Sequence, residues 1–337
     1  MQLGILVIVV LICAGLGAAA VRFGVLPDPF SSPLPPSSDS ETAEAREAKA
    51  ELDRSFPGRL LFDSNRSGTF AIYTMDIGDA EPTVLVDTPE HDMYPDPSPD
   101  GSLIVFARAE STARTAKSSI WLVQADGSNI RKLADNGTFP TFSKDGQTVY
   151  FERDRKRVMS VPTSGGTPQE IFPAQFAAFG NYDVIKPRVS PDGTSVAFIS
   201  DRNGRWNAWI ASLEDGTLEH IDEGCEPAWF STGKHLGWIR TKNTKERSGL
   251  YKFERGTRAV EELQDAPPPR GHEYFPSIVA SDRFLLFASC REGEHSHIDA
   301  NYQIFVKDLQ SNTVTRITFD PFTNRWPKLL VSPATRQ

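Results

Sequence analysis

The sequence predicts an all-β fold: a six-bladed β-propeller preceded by a transmembrane or signal segment and a short helical linker. Three observations carry that expectation. An apolar strand with an aromatic in one fixed slot recurs at Phe62, Phe106, Phe151, Phe198, Trp238 and Phe287, with spacings of 44, 45, 47, 40 and 49 residues. A proline recurs with it, at Pro95, Pro140, Pro187, Pro227, Pro276 and Pro327, spaced 45, 47, 40, 49 and 51. The pairs Asp100-Gly101, Asp145-Gly146 and Asp192-Gly193 supply the positive φ of tight hairpins. A period in this range is that of a four-stranded blade. One repeat cannot bury its own faces, so the six must close into a ring.

A single repeat shows the order of elements. "KPRVSPDG" is a short strand ending in a Pro-Asp-Gly turn, and "TSVAFISDRNG" is an alternating apolar strand ending in a polar loop. "WNAWIASLEDG" and "TLEHID" are the third and fourth strands. Across the chain, second strands are predicted near 59–63, 103–107, 148–152, 195–200, 235–240 and 284–289. Third strands fall near 71–76, 119–124, 157–161, 207–212, 249–253 and 303–308. Fourth strands fall near 83–87, 130–134, 168–172, 218–222, 259–263 and 314–318. First strands begin at the six prolines. The array opens at Arg59 with a second strand and ends near Ser332 with a first strand, "RWPKLLVSP". Its two ends should therefore share one sheet, which removes the exposed edges an open array would leave.

The copies "YPDPSPDG", "KPRVSPDG", "SNRSG", "SDRNG" and "SCREG", with the weaker "FPTFSKDG" and "EPAWFSTG", resemble the TolB-type WD-like propeller repeat over about residues 58–333. That resemblance implies a propeller and no particular activity. TolB carries an α/β domain ahead of its propeller; the stretch before residue 58 is too short for one, so this chain is expected to lack it.

Three domains are expected: an anchor or signal segment over 1–26, a Pro/Ser linker and short helix over 27–57, and the propeller over 58–333. Residues 3–21 are almost wholly apolar and would span roughly 28 Å as a helix. They read as a membrane anchor holding the propeller on the non-cytoplasmic, periplasmic or extracellular side. The alternative is secretion after cleavage at Ala18-Ala19-Ala20. "ETAEAREAKAELDRSF" favours helix, with Ser38 and Glu41 fitting a capping box. Because its apolar face is mostly alanine, it should form a stalk or lie on the propeller.

A net charge of −8 and a sequence with no basic stripe argue against nucleic acid as the partner. Three cysteines exclude a disulfide framework, although Cys225 and Cys290 should fall on neighbouring blades where a bond between them is conceivable. There is no Gly-x-Ser-x-Gly elbow, Walker A loop, His-Glu-x-x-His, Cys-x-x-Cys or EF-hand loop. No catalytic residue is assigned and no cofactor is called for.

Residues just before each proline should ring the channel mouth. This rim holds His91, Asp92, Tyr94, Tyr182, Asp183, Glu226, His272, Glu273, Tyr274, Arg325 and Trp326. The loop "SCREGEHSHIDANYQ" adds His295, His297 and Asp299. His91, His272, His295 and His297 are candidate metal ligands, since imidazoles and carboxylates on one face would suit zinc or manganese. More simply, such side chains cap backbone groups at the mouth. The Asp and Arg of "SDRNG" and "SCREG" are expected to form Asx turns and to tie neighbouring loops.

The expected function is a non-enzymatic, membrane-tethered platform that binds a protein, a peptide or a cell-envelope polymer through its loop-rich channel face. The alternative is a metal- or His/carboxylate-dependent lyase or hydrolase of glycans such as uronates. A bare structural spacer is the third reading.

Overall fold

The computed structural model describes residues 40–332, except 175, 177–178, 242–246, 266–268 and 295. The apolar segment 3–21, the linker to residue 39 and His295 lie outside the described residues. Among the described residues no helix is long and apolar enough to cross a membrane.

Helix α1 (Ala43–Asp53) opens on Thr42, whose hydroxyl accepts the Ala45 amide at 3.2 Å. Thr42, not the expected Ser38 with Glu41, is thus the cap: its hydroxyl is correctly spaced for a first-turn donor. Leu52 and, just beyond the helix, Phe56 bury against Leu60, Met75, Ile77 and Phe284. Lys49 is buried too; its Nζ donates to the Asp79 carbonyl at 2.6 Å and meets Glu41 at 2.9 Å. The helix therefore lies on the β structure.

Twenty-four strands follow among the described residues. β1 (Arg59–Ser64), β2 (Ala71–Met75) and β3 (Thr83–Val86) are the first. β4 (His91–Pro97), β5 (Leu103–Ala109), β6 (Ser118–Gln124) and β7 (Arg131–Asp135) form a sheet in that order. So do β8 (Thr138–Phe142), β9 (Thr148–Arg153), β10 (Arg157–Pro162) and β11 (Gln169–Phe172), and likewise β12 (Ile185–Val189), β13 (Ser195–Ser200), β14 (Asn207–Ser212) and β15 (Leu218–Glu223). The rest are β16 (Cys225–Trp229), β17 (His235–Thr241), β18 (Ser248–Glu254), β19 (Val260–Gln264), β20 (Arg270–Val279), β21 (Phe284–Arg291), β22 (Gln303–Asp308), β23 (Thr313–Arg316) and β24 (Asn324–Leu330).

β24 pairs with β1 in a sheet ordered β24-β1-β2-β3, with Leu60 opposite Leu329, so the two ends of the array do share one sheet. The meanders β16–β19 and β20–β23 are joined by a single parallel bridge between Ser248 and His272. Among the described residues the hydrogen-bonded sheets consequently number five, four of four strands and one of eight, where six separate ones were expected. The extra bridge arises because β20 begins at Arg270, six residues before its proline, and so reaches β18.

Every first strand begins before its proline, correcting the expectation that they start there. The cause is common to all six. The residue before each proline has a left-handed backbone: Tyr94 (φ 59°), Phe139 (49°), Lys186 (52°), Glu226 (56°), Phe275 (59°) and Trp326 (54°). At each, the ladder to the second strand slips, between Met93 and Asp96 in β4 and between Tyr274 and Ser277 in β20, for instance. The repeat proline thus sits inside a β-bulge that carries the strand past a residue with no amide to donate. Along the chain the first strands pack in cyclic order, β24 on β4, β4 on β8, β8 on β12, β12 on β16, β16 on β20 and β20 back on β24. They line a central channel. Phe62, Phe106, Phe151, Phe198, Trp238 and Phe287, the aromatics of the second strands, are all buried between sheets.

Three turns repeat one hydrogen-bond set. In the first, Ser98 and the Ser102 amide both donate to Asp100 Oδ1, at 2.7 and 3.0 Å, and Ser98 Oγ accepts the Leu103 amide at 2.9 Å. Ser143 with Asp145 and Ser190 with Asp192 do the same.

Candidate functional site

Left-handed backbone outside glycine costs roughly 1–2 kcal/mol per residue and persists where surrounding contacts over-determine it. At three of the six positions those contacts are carboxylates. Asp63 accepts the Tyr94 amide at 2.9 Å, Glu152 the Lys186 amide at 2.9 Å, and Glu226 the Phe275 amide at 2.5 Å. The bulges converge their six side chains on the axis. Tyr94 stacks on Phe139 (4.1 Å between centroids), and Trp326 meets Tyr94 and Phe139 (5.5 Å each) and Phe275 (4.8 Å). Lys186 Nζ lies 5.5 Å from the Trp326 ring and 2.6 Å from Glu226 Oε1. An aromatic plug with one buried ion pair therefore fills the channel at this level. Burial dominates the electrostatics: it raises Tyr94 to about 12, and it raises Glu152 to about 7 against the Lys186 amide and the charges of Arg155 and Lys186.

Of the eleven predicted rim residues, Tyr94, Glu226 and Trp326 belong to this plug. The others disperse. Arg325 is buried behind it, bonded to Asp63 and stacked 3.6 Å over Phe70, with Nη1 donating to the His297 carbonyl at 2.7 Å. Asp92 is buried and takes bonds from Arg108 (2.7 Å) and Thr88 (2.9 Å). His91 Nδ1 accepts the Phe70 amide at 3.2 Å; burial, then the Arg325 charge, holds its pKa below the ordinary value. His272 and Glu273 are buried in β20, where His272 Nδ1 lies 3.5 Å from Ser248 Oγ. Tyr274 is buried against the His297 ring at 4.4 Å, and its phenol pKa is raised, first by burial. His297 Nδ1 lies 3.8 Å from Glu226 Oε1.

Tyr182 and Asp183 form a separate outer patch. Asp183 joins Arg155 (2.6 Å) and Lys156 (2.8 Å), which together outweigh its burial and lower its pKa. Tyr182 is exposed, with Arg202 5.3 Å from its ring. A cavity of about 240 Å³ opens there between Lys156, Phe176 and Tyr182. Arg202 also donates to the Phe179 carbonyl, so the arginine of "SDRNG" ties loops together as expected, and Arg66 of "SNRSG" does likewise through Asp320.

Among the described residues no group of three or more His, Cys, Asp or Glu is arranged to hold a metal. His91, His272 and His297 are spread over different partners, and His295 lies outside the described residues. Cys225 and Cys290 are free thiols, not a disulfide, and each is raised to about 12, chiefly by burial.

Phe139, Lys186 and Phe275 were missed as site residues, although each shares the place before a proline with Tyr94, Glu226 and Trp326. Taking that place alone, and not the polar residues of each loop, would have found them.

No family model matches the chain. An uncharacterized protein of Agrobacterium fabrum is 32% identical over 149 residues, which are 40% of this chain and 48% of that protein, so the match spans about half of the relative's length. Among solved structures, TolB from Acinetobacter baumannii superposes with a TM-score of 0.64 at 16% identity, covering 82% of this chain and 67% of that one. A TolB structure from Agrobacterium tumefaciens superposes at 0.57 and 17% identity, covering 78% and 89%. The fold is that of a TolB-like propeller.

Proposed function

We propose that the chain is a non-enzymatic, six-bladed propeller platform spanning 58–333, held on the non-cytoplasmic side of a membrane by residues 3–21. It binds a protein, a peptide or a cell-envelope polymer on its loop-rich channel face. One observation carries this reading: four of the rim's charged side chains are spent on structure. Asp92 pairs with Arg108, Glu226 with Lys186, Asp183 with Arg155 and Lys156, and Arg325 with Asp63. A general base must reach its substrate's proton, whereas a platform needs a rigid, exposed anchor. Tyr182, beside its cavity, supplies one, as interface hot spots favour aromatic and arginine side chains. The superposition on the TolB structures supports the propeller.

A photo-crosslinking residue placed at Tyr182 in intact cells tests the reading, with exposed Val314 on β23 as the control position. Capture of a defined species from Tyr182 and not from Val314 is expected. Equal capture from both, or none from Tyr182, would end it.

The 3.8 Å approach of His297 to Glu226 is the arrangement that would serve the alternative, a glycan lyase or hydrolase. A His272→Ala/His297→Ala variant that stays folded and loses turnover of a uronate oligomer would replace the platform with the enzyme.

A further inference from the structure

Two residues beyond the plug, the same six strands supply a second ring, one residue after each proline. In cyclic order it is Lys328, Asp96, Thr141, Arg188, Ala228 and Ser277. The ring is lopsided. On one side Asp96 takes a bond from Thr141 Oγ1 (3.1 Å) and from the Phe142 amide (2.9 Å), and it pairs with Lys328 Nζ (3.1 Å). Along the other arc the equivalent positions are the small residues Ala228 and Ser277, bracketed by Arg188 and Lys328.

The cations of this channel are unequally matched. Lys328 has Asp96, and Lys186 has Glu226. The Arg188 side chain makes no ion pair among the described residues; the one hydrogen bond it makes among them runs from Nη1 to the Pro187 carbonyl at 2.9 Å. The guanidinium reaches across the channel to within 5.6 Å of the Trp326 ring, on the strand that carries Lys328. Asp96, Glu226 and Glu152 lie close enough to act on its charge, yet each is bonded elsewhere. Burial lowers the pKa of Arg188 and, with Arg188 itself adding to the effect, that of Lys328. In addition, Trp326 Nε1 is a buried donor with no hydrogen-bond partner among the described residues.

Arg188 is half-buried, and partly withdrawing a guanidinium from water with no carboxylate bonded to it is costly. Its planar fork matches carboxylate or phosphate oxygens in pairs. We propose that the central channel binds one small oxyanion, a carboxylate or a phosphate, between Arg188 and Lys328, with Trp326 Nε1 as a further donor. The site lies on the small-residue side of the second ring and gives Arg188 the bonded partner that its side chain lacks among the described residues. It is separate from the loop-face platform and stands whether or not that platform is correct.

Thermal unfolding of the purified protein tests it, in sodium chloride, sodium phosphate and sodium acetate at equal ionic strength. A saturable rise in Tm of about 5 °C over chloride is expected for phosphate or acetate. The anion that acts at lower concentration identifies the source as phosphate or carboxylate. Arg188→Met should abolish the response and, in chloride, melt no lower than the parent, because the lone charge is gone. Should that variant not fold, Ser277→Asp serves in its place. It sets a carboxylate on the open side of the ring and should remove the response while retaining the fold. A parent protein indifferent to both oxyanions, or a folded variant that responds like the parent, overturns the proposal.

Discussion

Arg325 and Asp63 form a bidentate pair across the junction where β24 meets β1, with Nε to Oδ1 at 2.9 Å and Nη2 to Oδ2 at 3.3 Å. Both are effectively sealed from water, at 1% and 0% exposure. The pair closes a separation of 262 residues. It also positions the plug, since Asp63 Oδ2 accepts the amide of Tyr94. Asp63→Asn leaves a buried guanidinium partly uncompensated and should cost about 3–5 kcal/mol in denaturant unfolding. Combining Asp63→Leu with Arg325→Met should recover a substantial part of that loss. Additive costs for the two single changes in a double-mutant cycle would show the pair to be uncoupled.

Glu152 gives the stability a pH dependence of predictable sign. Its carboxyl is raised to about 7 in the folded protein, from 4.5 in the free side chain. Between those values the native state holds a proton that the unfolded chain has released. The contribution of Glu152 is therefore complete below about pH 4.5 and is lost as the pH climbs to about 7. Glu152→Gln keeps an acceptor for the Lys186 amide and should flatten the stability curve there, by at most about 1.4 kcal/mol per pH unit. An unchanged slope would show that another group governs it.

Two glycines with positive φ should answer differently to alanine. At Gly224 (φ 148°) a Cβ would stand 2.0 Å from the Ile239 carbonyl oxygen, whereas at Gly204 (φ 80°) it would meet nothing within 4 Å. Gly204→Ala should cost roughly 1 kcal/mol, the left-handed penalty alone. Gly224→Ala should cost at least about 3 kcal/mol, because backbone must move. Calorimetric melting of both variants checks the order.

Cys225 and Cys290 should resist alkylation in the folded state. The thiolate is the nucleophile, and at about 12 almost none forms at pH 8. Peptide mapping after iodoacetamide treatment should find both unmodified before denaturation and both modified after it. Rapid labelling of native Cys225, the less buried of the two, would contradict the assigned environment.

The second-strand cores were legible because they are local. Phe198 and its equivalents sit in period-2 apolar runs, and the cited bonds of the Ser-Pro-Asp-Gly turns join residues at most five apart in sequence. The candidate site was legible only in part. Tyr94, Glu226 and Trp326 were recognised, but Phe139, Lys186 and Phe275 were passed over for polar neighbours such as Asp183 and His272. Alternation along a strand assigns a residue to the channel only when the register is known, and a bulge changes that register.

By itself, then, the order of residues determined the repeat, its strand sequence and the sharing of one sheet by the two ends of the array. These rest on turn chemistry and alternation within a few residues. Tertiary structure alone decided which side chains reach the axis and which charges find partners. The left-handed residue before each proline rotates one side chain per repeat into the channel. The contact of Arg325 with Asp63 exists only once β24 has met β1, and that of Lys186 with Glu226 only once β12 and β16 have packed.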